Sequence, residues 1–357
     1  MKLGILFGGR SYEHDISIIT AAQVAAVLKD KAELYPIYAK DGEFFLIKKE
    51  LKIEDFAKGK IKKKKLSFGK RKGRGVLKFD WKSVVPDCVI CCCHGGEGED
   101  GHFSAMLECF DIPHTASGLL PSALTMDKRL TKEFCAQFGF ATAKGVFGHH
   151  DEDVLEKTKD LKYPLIVKPA RLGSSIGIQV AHDETELIGA VGVAFSFDKD
   201  VVIEEIVENA VEYNCAAFRD GEEVVVGAVE NPRSWHEFLT FQEKYEGGKY
   251  KSGSNRIVEG KLADRIRETT ERIYRAFELD GIARVDYLYS ERDDVLYINE
   301  INSQPGSLAY YLFEEVGIDF SDLLFRVVKQ AIVAINEKDI ISFNSHVLDN
   351  LSALSQK

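Results

Sequence analysis

Apolar and polar positions along the chain fall into phases that can be read as strands and helices. Lys2 to Phe7 is a short apolar run ending in glycines, and from about Asp15 to Leu28 apolar residues recur at helical spacing. That βα opening is typical of α/β folds. A second strand is expected near Glu33 to Ala39, with Asp41-Gly42 as a hairpin turn into EFFLIK. The run DCVICCC reads as a buried strand, followed by the loop HGGEGEDG and a helix from His102 to Phe110. Ser122 is expected to cap a helix running to Phe138, with Lys128 in its first turns. Next come PLIVKP, a glycine loop, IGIQVA, a helix opened by Asp183 with Glu186 at capping-box spacing, and VVIEEIV. VEYNCAAF and EEVVVGAVE flank the turn Arg219-Asp220-Gly221, and the polar segment Ser234 to Asn255 reads as a loop or lid. The helical run KLADRIRETTERIYRAFEL leads to a last hairpin, IARVDYLYS and VLYINEI.

Length changes this picture first: 357 residues exceed what one core usually serves, so two or three lobes are expected. Hydrophobic residues at 45% and charged residues at 29% are ordinary for a soluble globular protein. A net charge of -10 argues against nucleic acid, whose phosphates demand a basic face. No run approaches the ~18 apolar residues of a membrane span, and the N-terminus does not read as a signal peptide. Seven cysteines without regular spacing read as reduced thiols in a cytoplasm. Cys91, Cys92 and Cys93 precede His94, and Cys88 makes a CxxC with Cys91, which raises a metal site. On a strand, however, neighbours point to opposite faces and cannot converge on one ion, so packing is the expected role. Residues 58–78 are dense in Lys, Arg and Gly and read as a solvated insertion rather than a nucleic-acid patch, given the acidic remainder.

Two stretches carry chemistry. In IVKPARLGSSIGIQV, residues 166–180, a lysine follows an apolar strand, and a glycine- and hydroxyl-rich loop leads to the next strand. It is not a Walker A loop, which has GxxxxGK[ST] between strand and helix. Such a hairpin can still offer N–H groups and hydroxyls to phosphate, with Lys168 supplying charge; a plain tight turn is the alternative. In the last hairpin, Arg284 and Asp286 share a face, as do Glu300 and Asn302. With the turn at Glu291 to Asp294, simple antiparallel counting is taken to put all four on one face. Asp, Glu and Asn then make an all-oxygen set suited to Mg²⁺.

With these residues in place, the chain resembles the ATP-grasp superfamily and, within it, the D-alanine–D-alanine ligase family. The matching pieces are LFGGRSYEHDIS, HGGEGEDG, SALTMDKRLTK, YPLIVKPARLGSSIG, VIEEIVENAVEYN, FQEKY, ARVDY and INEINSQPGSLAYYL, in the family's order from about Leu3 to Leu312. The resemblance implies an α/β, three-lobed ATP-grasp fold. Its parts would be a Rossmann-like N-terminal substrate lobe (1–121), a central lobe (122–211), a C-terminal lobe with metal site and lid (212–345, lid about 234–255) and a tail (346–357).

It also implies roles. Lys128, Lys168, Ser174 and Ser175 would meet the ATP phosphates. The strand at Glu204 and Glu205, with the backbone near Ile206 and Val207, would hold adenine, and Glu212 the ribose. Asp286, Glu300 and Asn302 would ligate two Mg²⁺ (or Mn²⁺) ions. Glu13 would take the ammonium of the first D-alanine, in a pocket lined by His94 and the acidic loop. Ser174 and Tyr245 would form a hydrogen-bonded set with Glu13, and Lys244 would reach the γ-phosphate. Arg284 and the Gly306 N–H would form the oxyanion site, with Tyr311 and Leu312 at the second substrate. Taken singly, Glu13 could cap a helix, His94 could be a packed histidine, and Lys128, Lys244 and Glu212 could be solvated charges.

The implied reaction is ATP-dependent joining of two D-alanine molecules through an acyl phosphate for cell-wall precursor synthesis, by a cytoplasmic homodimer with no nucleic-acid or membrane partner. The alternatives are a D-serine or D-lactate acceptor, an L-amino-acid dipeptide ligase, and a nucleotide-binding regulator without turnover. Tyr311 stands where the family usually has a serine, Ser303 and Gln304 differ from the usual residues before Pro-Gly, and Glu205 stands where a lysine is common.

Overall fold

The computed structural model describes residues 1–48, 50–150, 152–232 and 256–337. Three sheets organise them. The first holds β1 (Lys2–Gly8), β2 (Glu33–Lys40), β3 (Glu43–Ile47), β4 (Lys63–Arg71), β5 (Arg74–Phe79), β6 (Lys82–Val84) and β7 (Cys88–Cys91), in the order β6-β5-β4-β3-β2-β1-β7. β2, β1 and β7 pair in parallel, and β3 to β6 extend the sheet antiparallel. The basic stretch expected as a solvated insertion is therefore largely two strands. Leu66 and Leu77, with Phe68 and Phe79 beside them, pack into one core and keep it on the sheet.

Helix α1 (His14–Leu28) packs on this sheet, α2 (Ile53–Ala57) follows β3, and α3 (His102–Cys109) follows β7. The cysteines of β7 and of the two residues after it divide as an extended chain requires: Cys88 and Cys92 pack in one core, Cys91 and Cys93 in the core on the other face. All four are buried thiols, with burial raising each above its ordinary pKa.

A helix capped by Ser122 and running to Phe138 is not what forms. The segment breaks at Asp127 into α4 (Leu119–Met126) and α5 (Lys128–Gln137). Asp127 takes an extended conformation and accepts from the N–H groups of Arg129 and Leu130, a true N-cap. Ser122 lies inside α4 and donates to the Ser117 carbonyl. The stronger cap wins, and it fixes Lys128 as the first residue of α5.

The second sheet comprises β8 (Gly145–His149), β9 (Leu165–Pro169), β10 (Gln179–Ala181) and β11 (Asp200–Glu205), all pairs antiparallel, with α6 (Val154–Lys157) and α7 (Glu184–Phe195) beside it. The expected cap of α7 forms: Asp183 accepts from the Glu186 N–H at 2.9 Å, and Glu186 reaches back to the His182 N–H at 2.8 Å.

The third sheet holds β12 (Val211–Asp220), β13 (Glu223–Asn231), β14 (Arg256–Val258), β15 (Ile282–Ser290) and β16 (Val295–Asn302), in the order β14-β13-β12-β15-β16. Helix α8 (Lys261–Ala276) covers one face through Ala263, Ile266, Ile273 and Tyr274. On the other face the apolar end, Ala216, Phe218 and Ile282, shares a core with β1 and with the helices that end the described chain, α9 (Tyr310–Glu314) and α10 (Phe320–Glu337). First and third sheets thus share one core, with a polar site left at the open end. Among the described residues no helix is long and apolar enough to cross a membrane.

Asp127 also pairs with Arg171, which bridges to Asp198 and Asp200. Replacing Asp127 with Ala should therefore cost about 1–2 kcal/mol in urea unfolding. A variant as stable as the parent would show that the cap contributes nothing.

Candidate active site

The site is built on the hairpin β15–β16, and its sidedness depends on one irregularity. From the turn, Ser290 pairs with Val295 and Tyr287 with Ile298; continued without change, that register would put Asn299 opposite Asp286. Simple counting therefore turns Glu300 and Asn302 toward α8, contrary to the expectation drawn from it. A bulge between Asp286 and Tyr287 corrects the phase, so that Asp286 pairs with Glu300 and Arg284 with Asn302. All four side chains then share a face, while Ile298 and Ile301 both pack under α8. The phase break in Leu296, Ile298, Ile301 is the sequence signal for it.

Cationic groups hold these anions. Arg284 grips Asp286 with two bonds, Nε to Oδ1 at 2.6 Å and Nη2 to Oδ2 at 2.8 Å, and Asn302 Nδ2 donates to Asp286 Oδ2 at 3.1 Å. Burial works against the Arg284 charge, yet Asp286 raises its pKa further. Lys128 Nζ lies 3.4 Å from Glu300 Oε1 and donates to the Leu172 carbonyl. Positive groups thus neutralise the carboxylates of Asp286 and Glu300, whose hard oxygens are of the kind that suits Mg²⁺ or Mn²⁺. Among the described residues no group of three His, Cys, Asp or Glu side chains could hold a metal, and Asn302 is the amide that shares this face with Asp286 and Glu300.

Lys168 projects from β9 toward Glu204 at 2.6 Å and Asn299 Oδ1 at 3.2 Å. Lys132, one turn beyond Lys128 on α5, holds the other Glu204 oxygen. Burial opposes the Glu204 charge, yet the two lysines hold its pKa down to about 2. Asn299 and Lys132 went unnamed in the sequence. The i,i+4 spacing of Lys128 and Lys132 was the available clue.

Glu13 precedes α1 but makes no side-chain cap; instead Ser174 Oγ donates to its Oε1. The loop that presents Ser174 has left-handed backbone at Ser174 (φ 55°) and Ser175 (φ 59°), a conformation kept only where the surroundings impose it. Gly95 (φ 62°) lets HGGEGEDG approach: a Cβ there would lie 2.8 Å from Glu13 Oε2. Arg10 and Glu97 tie the first glycine loop to this second one.

His94 takes a different place from the pocket-lining one expected. It is 2% exposed, with Nδ1 on the Gln304 carbonyl at 2.8 Å and Nε2 on Thr20 Oγ1 at 2.7 Å. Burial drives its pKa down to about 4. Both nitrogens are engaged, so the ring organises the loops. Gln304 completes the junction: its N–H donates to Glu99 and its Nε2 to the Cys91 carbonyl. Gly306 opens a turn in which Ser307, Leu308 and Ala309 all have left-handed φ (51°, 54°, 45°), and the Ser307 N–H donates to Thr20.

Tyr311 donates to Glu230 Oε1 at 3.0 Å, and Leu312 is fully buried in the shared core rather than facing the site. Glu205 turns to Lys144 at 3.0 Å and to the Lys162 N–H. The Ile206 N–H donates to the Pro164 carbonyl, the Val207 carbonyl accepts from Ala210, and the Glu212 carbonyl accepts from Asn231. Lys244, Tyr245 and the segment 234–255, like the tail 346–357, lie outside the described residues. A surface depression of about 760 Å³ lies elsewhere, beside Lys2, Lys29 and Asp87, with no converging chemistry.

Two family models match the chain, D-ala D-ala ligase N-terminus over residues 2–117 and D-ala D-ala ligase C-terminus over residues 134–329. The chain belongs to the D-alanine–D-alanine ligase family. A relative from Thermosipho africanus named D-alanine–D-alanine ligase is 35% identical, covering 98% of each chain. The crystal structure of the VanG D-Ala:D-Ser ligase from Enterococcus faecalis aligns at TM-score 0.80 and 26% identity, over 92% of this chain and 99% of that one. A D-alanine–D-alanine ligase from Bacillus anthracis complexed with ATP aligns at TM-score 0.68 and 26% identity, over 94% and 99%. The three-lobed architecture is the family's ATP-grasp fold.

Glu99 has a pH signature. Burial, then the neighbouring Glu13 charge, pushes its pKa up to about 8. A raised carboxyl binds its proton more tightly when folded, so its stabilising contribution is complete below the ordinary carboxylate range and is lost as pH rises toward 8. Without ligands, Glu99→Gln should gain in Tm relative to the parent from pH 5 to pH 9. A constant Tm difference would refute the shift.

Proposed function

We propose that the protein joins two D-alanine molecules into D-alanyl-D-alanine, converting ATP to ADP and phosphate. The observation that carries this reading is the convergence of Arg284, Asp286, Glu300 and Asn302 on one sheet face with Lys128, Lys168 and the Glu13–Ser174 pair. A regulator without turnover has no need of an arginine, a glycine turn and an oxygen cluster so arranged.

Glu13 would hold the ammonium of the first D-alanine, leaving its carboxylate toward the phosphates. That carboxylate attacks the γ-phosphorus; the bond to the β-phosphate oxygen breaks and ADP leaves. Lys128 and Lys168 offset the phosphate charge, in a transfer where positioning and electrostatics do most of the work. Bound to Asp286, Glu300 and Asn302, two Mg²⁺ or Mn²⁺ ions would supply further charge neutralisation. The ammonium of the second amino acid gives up one proton to solvent before attack; its nitrogen bonds to the acyl carbon, the C–O bond to phosphate breaks, and the departing phosphate keeps the electron pair and takes up the second proton from nitrogen. Arg284 and the Gly306 N–H would stabilise the oxyanion, an effect worth about 10²–10³ in rate per donor.

Ser174, Ser175, Glu204 and Glu212 would serve ATP, with the backbone at Ile206 and Val207. The roles of Lys244 and Tyr245, a cytoplasmic location and a homodimer without nucleic-acid or membrane partners belong to the same reading. The family supports D-alanine as acceptor over D-serine, D-lactate or L-amino acids.

The test is phosphate release from ATP across D- and L-amino acids and D-lactate, with products weighed by mass spectrometry. D-alanyl-D-alanine should predominate; release independent of amino acid, or a product without D-alanine, would overturn the reading. Glu300→Gln should fold and lose at least about 100-fold in turnover, since loss of outer partners alone costs metal sites 10–100-fold.

A further inference from the structure

Two demands meet at Asp286. The proposed reaction needs its oxygens for a divalent cation, yet both are held by Arg284. The same reaction needs Arg284 for the oxyanion. A divalent cation held by Asp286 would compete with the guanidinium for the same carboxylate charge, and a guanidinium loosened within a largely buried site would need another anion.

A second carboxylate lies on the same face two strands away. Register aligns Glu230, Asn214, Asp286 and Glu300 in one rung across β13, β12, β15 and β16. Glu230 is 1% exposed, and its Oε1 accepts from Asn214 Nδ2 at 3.1 Å and from the Tyr311 hydroxyl at 3.0 Å. The charge of Glu230 acts on Arg284 across the rung. A carboxylate this deep is costly unless it serves a cation.

We propose that Glu230 is a positioning residue for the ligation: with Tyr311 it holds the Arg284 guanidinium at the oxyanion site when Asp286 turns to a divalent cation. Arming of the arginine is thereby tied to metal loading. Tyr311, where the family usually has a serine, becomes the strut that aims Glu230. This inference rests on the metal and oxyanion roles proposed above.

Glu230→Gln tests it, because the amide oxygen can still accept from Asn214 and Tyr311 while the charge is lost. Mn²⁺ binding is titrated with ADP present, where no turnover occurs. The variant should bind Mn²⁺ about tenfold more weakly, at the low end of couplings between close buried charges. In an Arg284→Met background the same change should have little effect, because the cation it serves is gone. Unchanged Mn²⁺ affinity in a folded Glu230→Gln protein, or equal losses in both backgrounds, would overturn the proposal and leave the ligase reading standing. Failure of the parent protein to bind Mn²⁺ with ADP would overturn the metal roles and this proposal together. Should Glu230→Gln not fold, Tyr311→Phe decides in the same titration. Weakening that needs Arg284 supports the strut, and no weakening sinks it.

Discussion

One extra residue in a hairpin governs the chemistry of this protein. Side chains on a strand alternate faces, so four groups meant for one site must keep the same parity across two strands. The bulge beside Asp286 restores that parity. Without it, Asn299 and Ile301 would face the phosphates, and Glu300 would be pressed into the apolar layer under α8. The bulge residue is also used: Asn299 meets Lys168 from the second sheet, so the irregularity that sorts the anions also helps join two lobes.

The opposite wall depends on a buried junction between the first and third sheets. Gln304, His94, Thr20 and Glu99 share hydrogen bonds across segments far apart in the chain. The left-handed turn at 307–309 is unfavourable locally for residues with side chains, and the shared core on either side holds it. A neutral His94 suits that role: a charge there would be desolvated and set against Arg284. Rigid loops on a common core can keep Gly306 and Glu13 in fixed relation, which an acyl phosphate shielded from water requires.

Charge is distributed so that three carboxylates at the site each have a cation within reach. Glu204 has Lys168 and Lys132, Asp286 has Arg284, and Glu300 has Lys128. On the function proposed above these pairs would exchange partners, because phosphates and divalent ions bring the same charges in the opposite sense. Glu99 differs: burial, then the Glu13 charge, raises its pKa, and the N–H groups of Gly95 and Gln304 offset only part of that.

Many of the strands and helices outside the basic stretch, the cap at Asp183 and the division of the cysteines were legible in the sequence, because each depends on neighbours within a few positions. The parallel start, the glycine loops and the acidic hairpin were enough to point to one family. Asp127 as the helix break was also local, but it competed with Ser122; its two backbone N–H bonds, backed by the pairing with Arg171, decide between them. The basic stretch could not be read as sheet, because β4 and β5 are held by β3 and a distant core rather than by their own pattern. His94, Gln304, Glu230 and Tyr311 take their places from residues scores of positions away, and no spacing rule reaches that far. The bulge lies between the two cases. Its phase break is written in Leu296, Ile298 and Ile301, yet only packing under α8 decides that the apolar side chains keep the core and the oxygens keep the site.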